Sequence, residues 1–96
     1  MKLLPTHFLY AQSQDNYVQV FFLKGAVVKS ELFRTTLKRL EQSMKDSPYL
    51  KRAHRGYLVN PTKVEQHLKK NQKQWLVLDH NIEIPVSASY LDQWPL

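Results

Sequence analysis

The chain has 96 residues and a mass of 11.4 kDa, about one small domain on a scale of roughly 100–200 residues per domain. Such a chain buries roughly 60–65% of its unfolded surface, which allows one modest core and excludes a two-lobed enzyme or a receiver domain joined to an output domain. The net charge of +6 is uneven: residues 24–73 carry thirteen basic and four acidic side chains, the flanks one basic and four acidic, so the middle of the chain points to an anionic partner.

Taken in chain order, residues 1–6 form a short leader closed by Pro5, and residues 7–94 form the domain, with a tail at 95–96. His7 to Gln12 reads as a first strand, because Phe8, Leu9 and Tyr10 favour β structure. Ser13-Gln14-Asp15-Asn16 is turn chemistry. Tyr17 to Leu23 is a second strand, rich in β-branched and aromatic residues, and Lys24-Gly25 turns it into a third, Ala26 to Glu31. The period then changes. Leu37, Leu40 and Met44, with Phe33 as a further candidate, fall at helical spacing, so a helix is expected over Thr36 to Lys45, capped by Thr35 or Thr36 and stopped by Asp46-Ser47-Pro48.

Short strands follow. Tyr49 to Ala53 and Gly56 to Val59 flank His54-Arg55-Gly56, and Asn60-Pro61 starts a turn. Val64 to Lys69 reads as a strand with Val64 and Leu68 on its apolar side. Asn71-Gln72-Lys73 is a turn, Gln74 to Leu78 a strand and Asp79-His80-Asn81 a hairpin turn. Ile82 to Val86 alternates, which buries one face; Pro85, which cannot donate to a ladder, belongs at a sheet edge or strand end. Ser87 to Trp94 reads as a short closing helix. The expected fold is mainly β with one inserted helix.

Residue types speak against catalysis. His7, His54, His67 and His80 show no metal-ligand spacing. Gly25 and Gly56 are the only glycines, too few for a phosphate-binding loop. The acidic residues form no close pair for acid–base work, and Ser87, Ser89 and Asp92 lack a nucleophile elbow. No catalytic residue, metal site, cofactor or small-molecule substrate is expected. Cysteine is absent, which removes disulfides and thiolate sites, and no apolar run reaches the ~18 residues that span a bilayer. With no secretion signal, the cytoplasm is the expected compartment, either for a free protein or for the cytoplasmic part of a membrane-anchored regulator.

The segment from Lys51 to Asn60 carries the most specific signal. Lys51, Arg52 and Arg55 offer cations to phosphates, and an exposed Arg55 beside Gly56 offers a guanidinium fork that suits the O6 and N7 of guanine. His54 and Asn60 read as buried residues that shape the turn through backbone hydrogen bonds. Phe21, Phe22, Trp75 and Trp94 read as core residues. Lys24, Lys29, Lys69, Lys70 and Lys73 read equally well as phosphate clamps or as solvated lysines that protect sheet edges.

His54-Arg55-Gly56-Tyr57-Leu58-Val59-Asn60 resembles the His-Arg-Ser-Tyr-hydrophobic-Val-Asn signature of LytTR DNA-binding domains, the output modules of LytR/AlgR-type response regulators. Phe8 to Val18, Thr36 to Glu41 and Ile84-Pro85-Val86-Ser87 followed by Tyr90-Leu91 are similar to three further motifs of that family, in the same order. The resemblance implies small antiparallel sheets that bind double-stranded DNA through loops, at three places: Asn16, Tyr17, Val18 and Gln19; Arg55, beside Arg52; and Ala88 and Ser89. Family members usually carry an arginine in that last turn, and this chain has none there. Gly56 replaces the common serine and Gln12 the common glutamate. The resemblance further implies pairs of copies on repeated sites and a receiver or sensor domain elsewhere in a full-length protein. Two other readings fit the residues: a β-rich module for single-stranded nucleic acid, which needs exposed aromatics on a sheet face, and a protein-interaction module with incidental charge.

Overall fold

The computed structural model describes residues 7–44 and 50–94. The expected leader and tail, the end of the helix at Lys45, its stop at Asp46-Ser47-Pro48 and the strand start at Tyr49 lie outside the described residues. Within them the order is β1 Phe8–Gln14, β2 Tyr17–Lys24, β3 Val27–Phe33, α1 Leu37–Ser43, β4 Lys51–His54, β5 Tyr57–Val59, β6 Val64–Lys70, β7 Lys73–Leu78 and β8 Ile82–Val86. Short 3-10 segments cover Pro61–Lys63, Asp79–Asn81 and Ala88–Gln93. The strands make two antiparallel sheets, one of five in the order β3-β2-β1-β5-β4 and one of three in the order β6-β7-β8. The expected class, mainly β with one inserted helix, is the observed one.

Three layers result. α1 lays Leu37 and Leu40 on one face of the five-stranded sheet, against Phe8, Ala11, Val18, Val20 and Leu58. The opposite face meets the three-stranded sheet through Leu9, Ala53, Val59, Leu76, Leu78, Ile84 and Trp94. A sheet buried on both faces needs apolar residues on both, which is why β1 and β2 read as nearly continuous apolar runs.

Three β-bulges set which side chains face which layer. Register shifts between Phe8 and Tyr10, so Leu9 is the extra residue and both Leu9 and Tyr10 reach the core under the small sheet. A second shift lies between Arg52 and His54. It leaves Arg52 opposite Leu58 on the α1 side, while Ala53 joins the other core. The third lies between Val64 and Gln66. It turns Leu68, opposite Trp75, to the other face from Val64, opposite Leu78. The expectation that Val64 and Leu68 share one apolar side therefore fails, because one extra residue reverses the alternation downstream.

Local chemistry explains most boundaries. Thr36 is the N-cap, in extended conformation, and its Oγ1 accepts from the Arg39 amide at 3.2 Å, which delays the helix by one residue relative to the expected start. Gly25 takes φ +64° in the two-residue turn between β2 and β3, the position that favours glycine. Pro85 lies on β8, an edge strand. The closing segment coils as 3-10 and not as α: Ser87 gives no side-chain cap, and Trp94 precedes Pro95, which disfavours α conformation at Trp94. Phe21 and Phe22 pack against the two cores and Trp94 is buried. Trp75 departs from its expected place: it lies half-buried outside both cores, opposite Leu68 and Pro85, with the Lys70 Nζ 5.6 Å from its ring centroid. No helix among the described residues is long and apolar enough to cross a membrane.

Candidate nucleic-acid interface

Strand pairing gathers three distant segments at one end of the five-stranded sheet. Gln14 pairs with Tyr17 across the β1–β2 turn, where Asp15 adopts φ +53°, a conformation that Asp and Asn tolerate. β5 pairs with β1 through Gln12 and Tyr57, and the Ser13 amide donates to the Gly56 carbonyl at 2.9 Å. The Arg55 turn thus lies beside the Asn16 turn although some forty residues separate them. The third segment is tied in by β4: the Ser87 amide donates to the Ala53 carbonyl at 2.9 Å. That bond sets Ala88 and Ser89 beside the same end.

Each expected residue has a definite setting. Asn16, Arg55, Ala88 and Ser89 are exposed, and Tyr17 is 40% exposed. Val18 is fully buried in the core beneath α1, so its side chain is withdrawn from any partner; it occupies the inward position of the alternation. Gln19 is half-buried and bonded within the sheet, its Oε1 accepting from Gln14 Nε2 at 3.0 Å and its Nε2 donating to Ser30 Oγ at 3.1 Å. Arg52 is engaged inside the molecule. Its Nε and Nη2 both lie 2.7 Å from Glu41 Oε1, and its Nη1 donates to the Arg55 carbonyl at 2.9 Å.

The turn itself is held from several sides. The Gly56 amide donates to His54 Nδ1 at 3.1 Å, which places the ring hydrogen on Nε2. The His54 ring meets Tyr57 edge-on at 5.8 Å, and Tyr10 stacks on Phe21 at 4.4 Å and leans on Tyr57. Burial, with a smaller contribution from Tyr57, pushes the Tyr10 phenol above its ordinary range, so the Tyr10 hydroxyl keeps its proton. Gly56 avoids the left-handed region, and a Cβ there would meet only His54 Nδ1 at 3.7 Å; the serine common at this position would fit. Asn60 is fully buried. Its Nδ2 donates to the Phe8 carbonyl at 2.9 Å, and its Oδ1 accepts from the Thr62 amide and hydroxyl at 3.1 and 2.8 Å.

Two clefts flank this end. One, of about 380 Å³, includes His54, Lys73, Gln74, Trp75, Ser87 and Ala88 in its wall. The other, of about 350 Å³, is formed by Asp15, Asn16, Arg34, Thr35, Thr36 and Arg39. Arg34 and Arg39 are cations that reading along the sequence passes over. The signal available for them is position: Arg34 follows directly on Phe33, which pairs with Val18 near the Asn16 turn. Lys24 lies at the other end of β2, roughly 20 Å away at ~3.3 Å per residue.

A mainly-β domain with exposed polar turns gathered at one end, and arginines around them, is a binding module. The sequence profile described as the LytTr DNA-binding domain matches residues 1–94, and the chain belongs to that family. It is 27% identical over 82 residues to an uncharacterized response regulatory protein of Vibrio cholerae serotype O1, covering 84% of this chain and 31% of that protein. The chain thus spans about a third of that relative's length. Its fold matches a solved structure described as the LytTr DNA-binding domain of a methyl-accepting/DNA response regulator from Bacillus cereus, with a TM-score of 0.79 at 17% identity, covering 98% of this chain and 83% of that one.

Proposed function

We propose that this domain binds double-stranded DNA sequence-specifically by inserting turns, and that it serves as the output module of a bacterial transcriptional regulator. The observation that carries this reading is the gathering of the Asn16, Arg55 and Ser89 turns at one end of one sheet, with Arg55 exposed at a tip whose backbone is held by His54, Ser13 and Arg52. A fixed tip matters because a guanidinium fork discriminates a base only when its approach is defined. Arg55 reads a base edge. Asn16, Tyr17 and Ser89 make the neighbouring polar contacts. Gln19 and Arg52 act from behind: Gln19 stiffens the strand under Tyr17, and Arg52 ties the Arg55 carbonyl to α1. Arg34, Arg39 and Lys73 flank the tips and neutralise phosphates, which supplies affinity and register without sequence information.

The single-stranded reading has less behind it. Stacking platforms need several open aromatic faces, whereas Phe21 and Phe22 lie half-buried against the two cores and Trp94 is buried. A receiver or sensor domain, supplied by another part of a full-length regulator, would control this module in the cytoplasm. Selection of bound duplexes from a random pool tests the reading. A conserved site among the selected duplexes is the expected result; an unenriched pool, or capture of single strands in preference, overturns it.

A further inference from the structure

β3 closes one edge of the five-stranded sheet, pairing with β2 on one side only. An open edge presents unpaired backbone groups, and natural edges are usually kept short, bulged, prolyl or covered. Among the described residues β3 is neither short, bulged nor prolyl, and the usual protection it does carry is the charge of Lys29 and Glu31. It runs seven residues, from Val27 to Phe33, in unbroken register with β2, and Val27 and Leu32 are each 55% exposed.

Its sequence, Val27-Val28-Lys29-Ser30-Glu31-Leu32-Phe33, is complementary to itself when reversed. Two identical antiparallel strands are related by a two-fold axis at a residue that faces its own copy. With the axis at Ser30, Lys29 faces Glu31, Val28 faces Leu32 and Val27 faces Phe33, each pair occurring twice. Directly opposed residues share a sheet face, so the charged pairs line the α1 side and the Val28–Leu32 pairs line the other. Leu32, otherwise open, is then covered by Val28. Moving the axis by one residue sets Lys29 against Lys29 or Glu31 against Glu31, and parallel in-register pairing does both; like charges opposed in this way are unfavourable. Lys29 repels a foreign strand that lacks a matching acid, whereas a second copy brings Glu31 to the required place.

We propose that β3 is a self-association surface: two copies of this chain pair antiparallel through β3, centred on Ser30, and merge their five-stranded sheets into one of ten strands. The Arg55 turn, on the β4–β5 side of the sheet, stands three to four strands away, roughly 14–19 Å at ~4.8 Å per strand, and stays free. Because the axis is perpendicular to the sheet, the two Arg55 ends point in opposite directions. This pair is therefore distinct from an arrangement of two copies on adjacent repeats of one straight duplex.

Sedimentation equilibrium of the chain without DNA tests the proposal independently of any DNA reading. A concentration-dependent dimer is expected. Lys29→Glu and Glu31→Lys, each at an exposed position, oppose like charges twice and weaken association roughly tenfold, while the double variant Lys29→Glu/Glu31→Lys regains the original dimer. Far-UV circular dichroism shows whether each variant is folded. On the unaltered chain, isotope-filtered NMR of mixed labelled and unlabelled protein should show Val28 methyls near Leu32 methyls across the interface. A chain that stays monomeric at NMR concentrations, a double variant that does not recover, or a cross-interface contact in another register overturns it.

Discussion

Asn60 and Arg55, five residues apart in one signature, do opposite work, and their settings say how each fails. Asn60 is sealed at 0% exposure and bonds both the Phe8 carbonyl on β1 and the Thr62 amide. Asn60→Ala leaves the buried Phe8 carbonyl without its side-chain partner, at about 1–3 kcal/mol, and removes a weaker bond from the Thr62 amide, which water can reach. A loss of about 3 kcal/mol in a domain of this size lowers the melting temperature by more than about 10 °C, which thermal unfolding by circular dichroism checks; a shift under about 3 °C would contradict the assigned role. Arg55 is exposed and contributes nothing comparable to folding. Arg55→Ala should leave the melting temperature unchanged and cost on the order of 1–3 kcal/mol at the selected site. Arg55→Lys keeps the charge and loses the fork, so affinity for random duplexes stays while discrimination falls. Titration of selected and random duplexes separates the two; an equal loss on both by Arg55→Ala would reduce Arg55 to a phosphate contact.

At the scale of elements, turns and bulges place the tips. The β6–β7 turn puts both Asn71 (φ +51°) and Gln72 (φ +65°) in the left-handed region. Asn tolerates this, whereas Gln bears a cost of roughly 1–2 kcal/mol. Gln72→Gly makes the favoured Asn-Gly turn and should stabilise the fold by about 1 kcal/mol, seen as a rise of about 4–8 °C in melting temperature. The link between α1 and the Arg55 turn is a second case. Removing Arg52 takes the tether from the Arg55 carbonyl, and removing Glu41 takes from Arg52 its anchor on α1, so Glu41→Gln and Arg52→Gln should each reduce discrimination between selected and random duplexes, and the double variant should lose little more than Arg52→Gln alone. Additive losses, or a loss on random duplexes alone, would show Arg52 to be an independent phosphate contact. Strands and the helix were legible in the sequence because period and β-branched runs are local signals, and the cap was narrowed to Thr35 or Thr36, of which Thr36 is the one observed. The bulges at Leu9, Ala53 and Glu65 were not: an extra residue is defined only against the partner strand. For that reason the sidedness of Leu68 and Arg52 could not be read, although their strands could; the side of Trp75 was hidden by the unbroken apolar run of β7. The signature turn was legible as chemistry, while the approach of the Asn16 turn and of Ser87 to it depended on long-range pairing.

The molecule measures 36 × 28 × 24 Å, so a duplex held as proposed would be covered over about one helical turn of ~34 Å. Only cations near the Arg55 end can reach phosphates within that footprint, and the net charge of +6 therefore overstates what binding uses. Arg34 and Arg39 line the cleft beside Asn16, and Lys73 lines the one beside His54. Lys24 ends β2 at the far side of the sheet, and Lys70 is paired with Glu83 at 2.9 Å and lies over Trp75. Each phosphate neutralised adds about −0.9 to the slope of log K against log salt. Three such contacts predict a slope of at least about −2.7 for duplex binding. Arg34→Gln, Arg39→Gln or Lys73→Gln should each reduce its magnitude by about 0.9, while Lys24→Gln and Lys70→Gln leave it unchanged. Fluorescence anisotropy of a labelled duplex across a salt series measures all five. Equal changes from all five would mean that the cationic field acts diffusely and that the Arg55 end is not the contact. A slope that drops for the first three variants alone ties the electrostatic footprint to the same end of the sheet that carries the exposed turns.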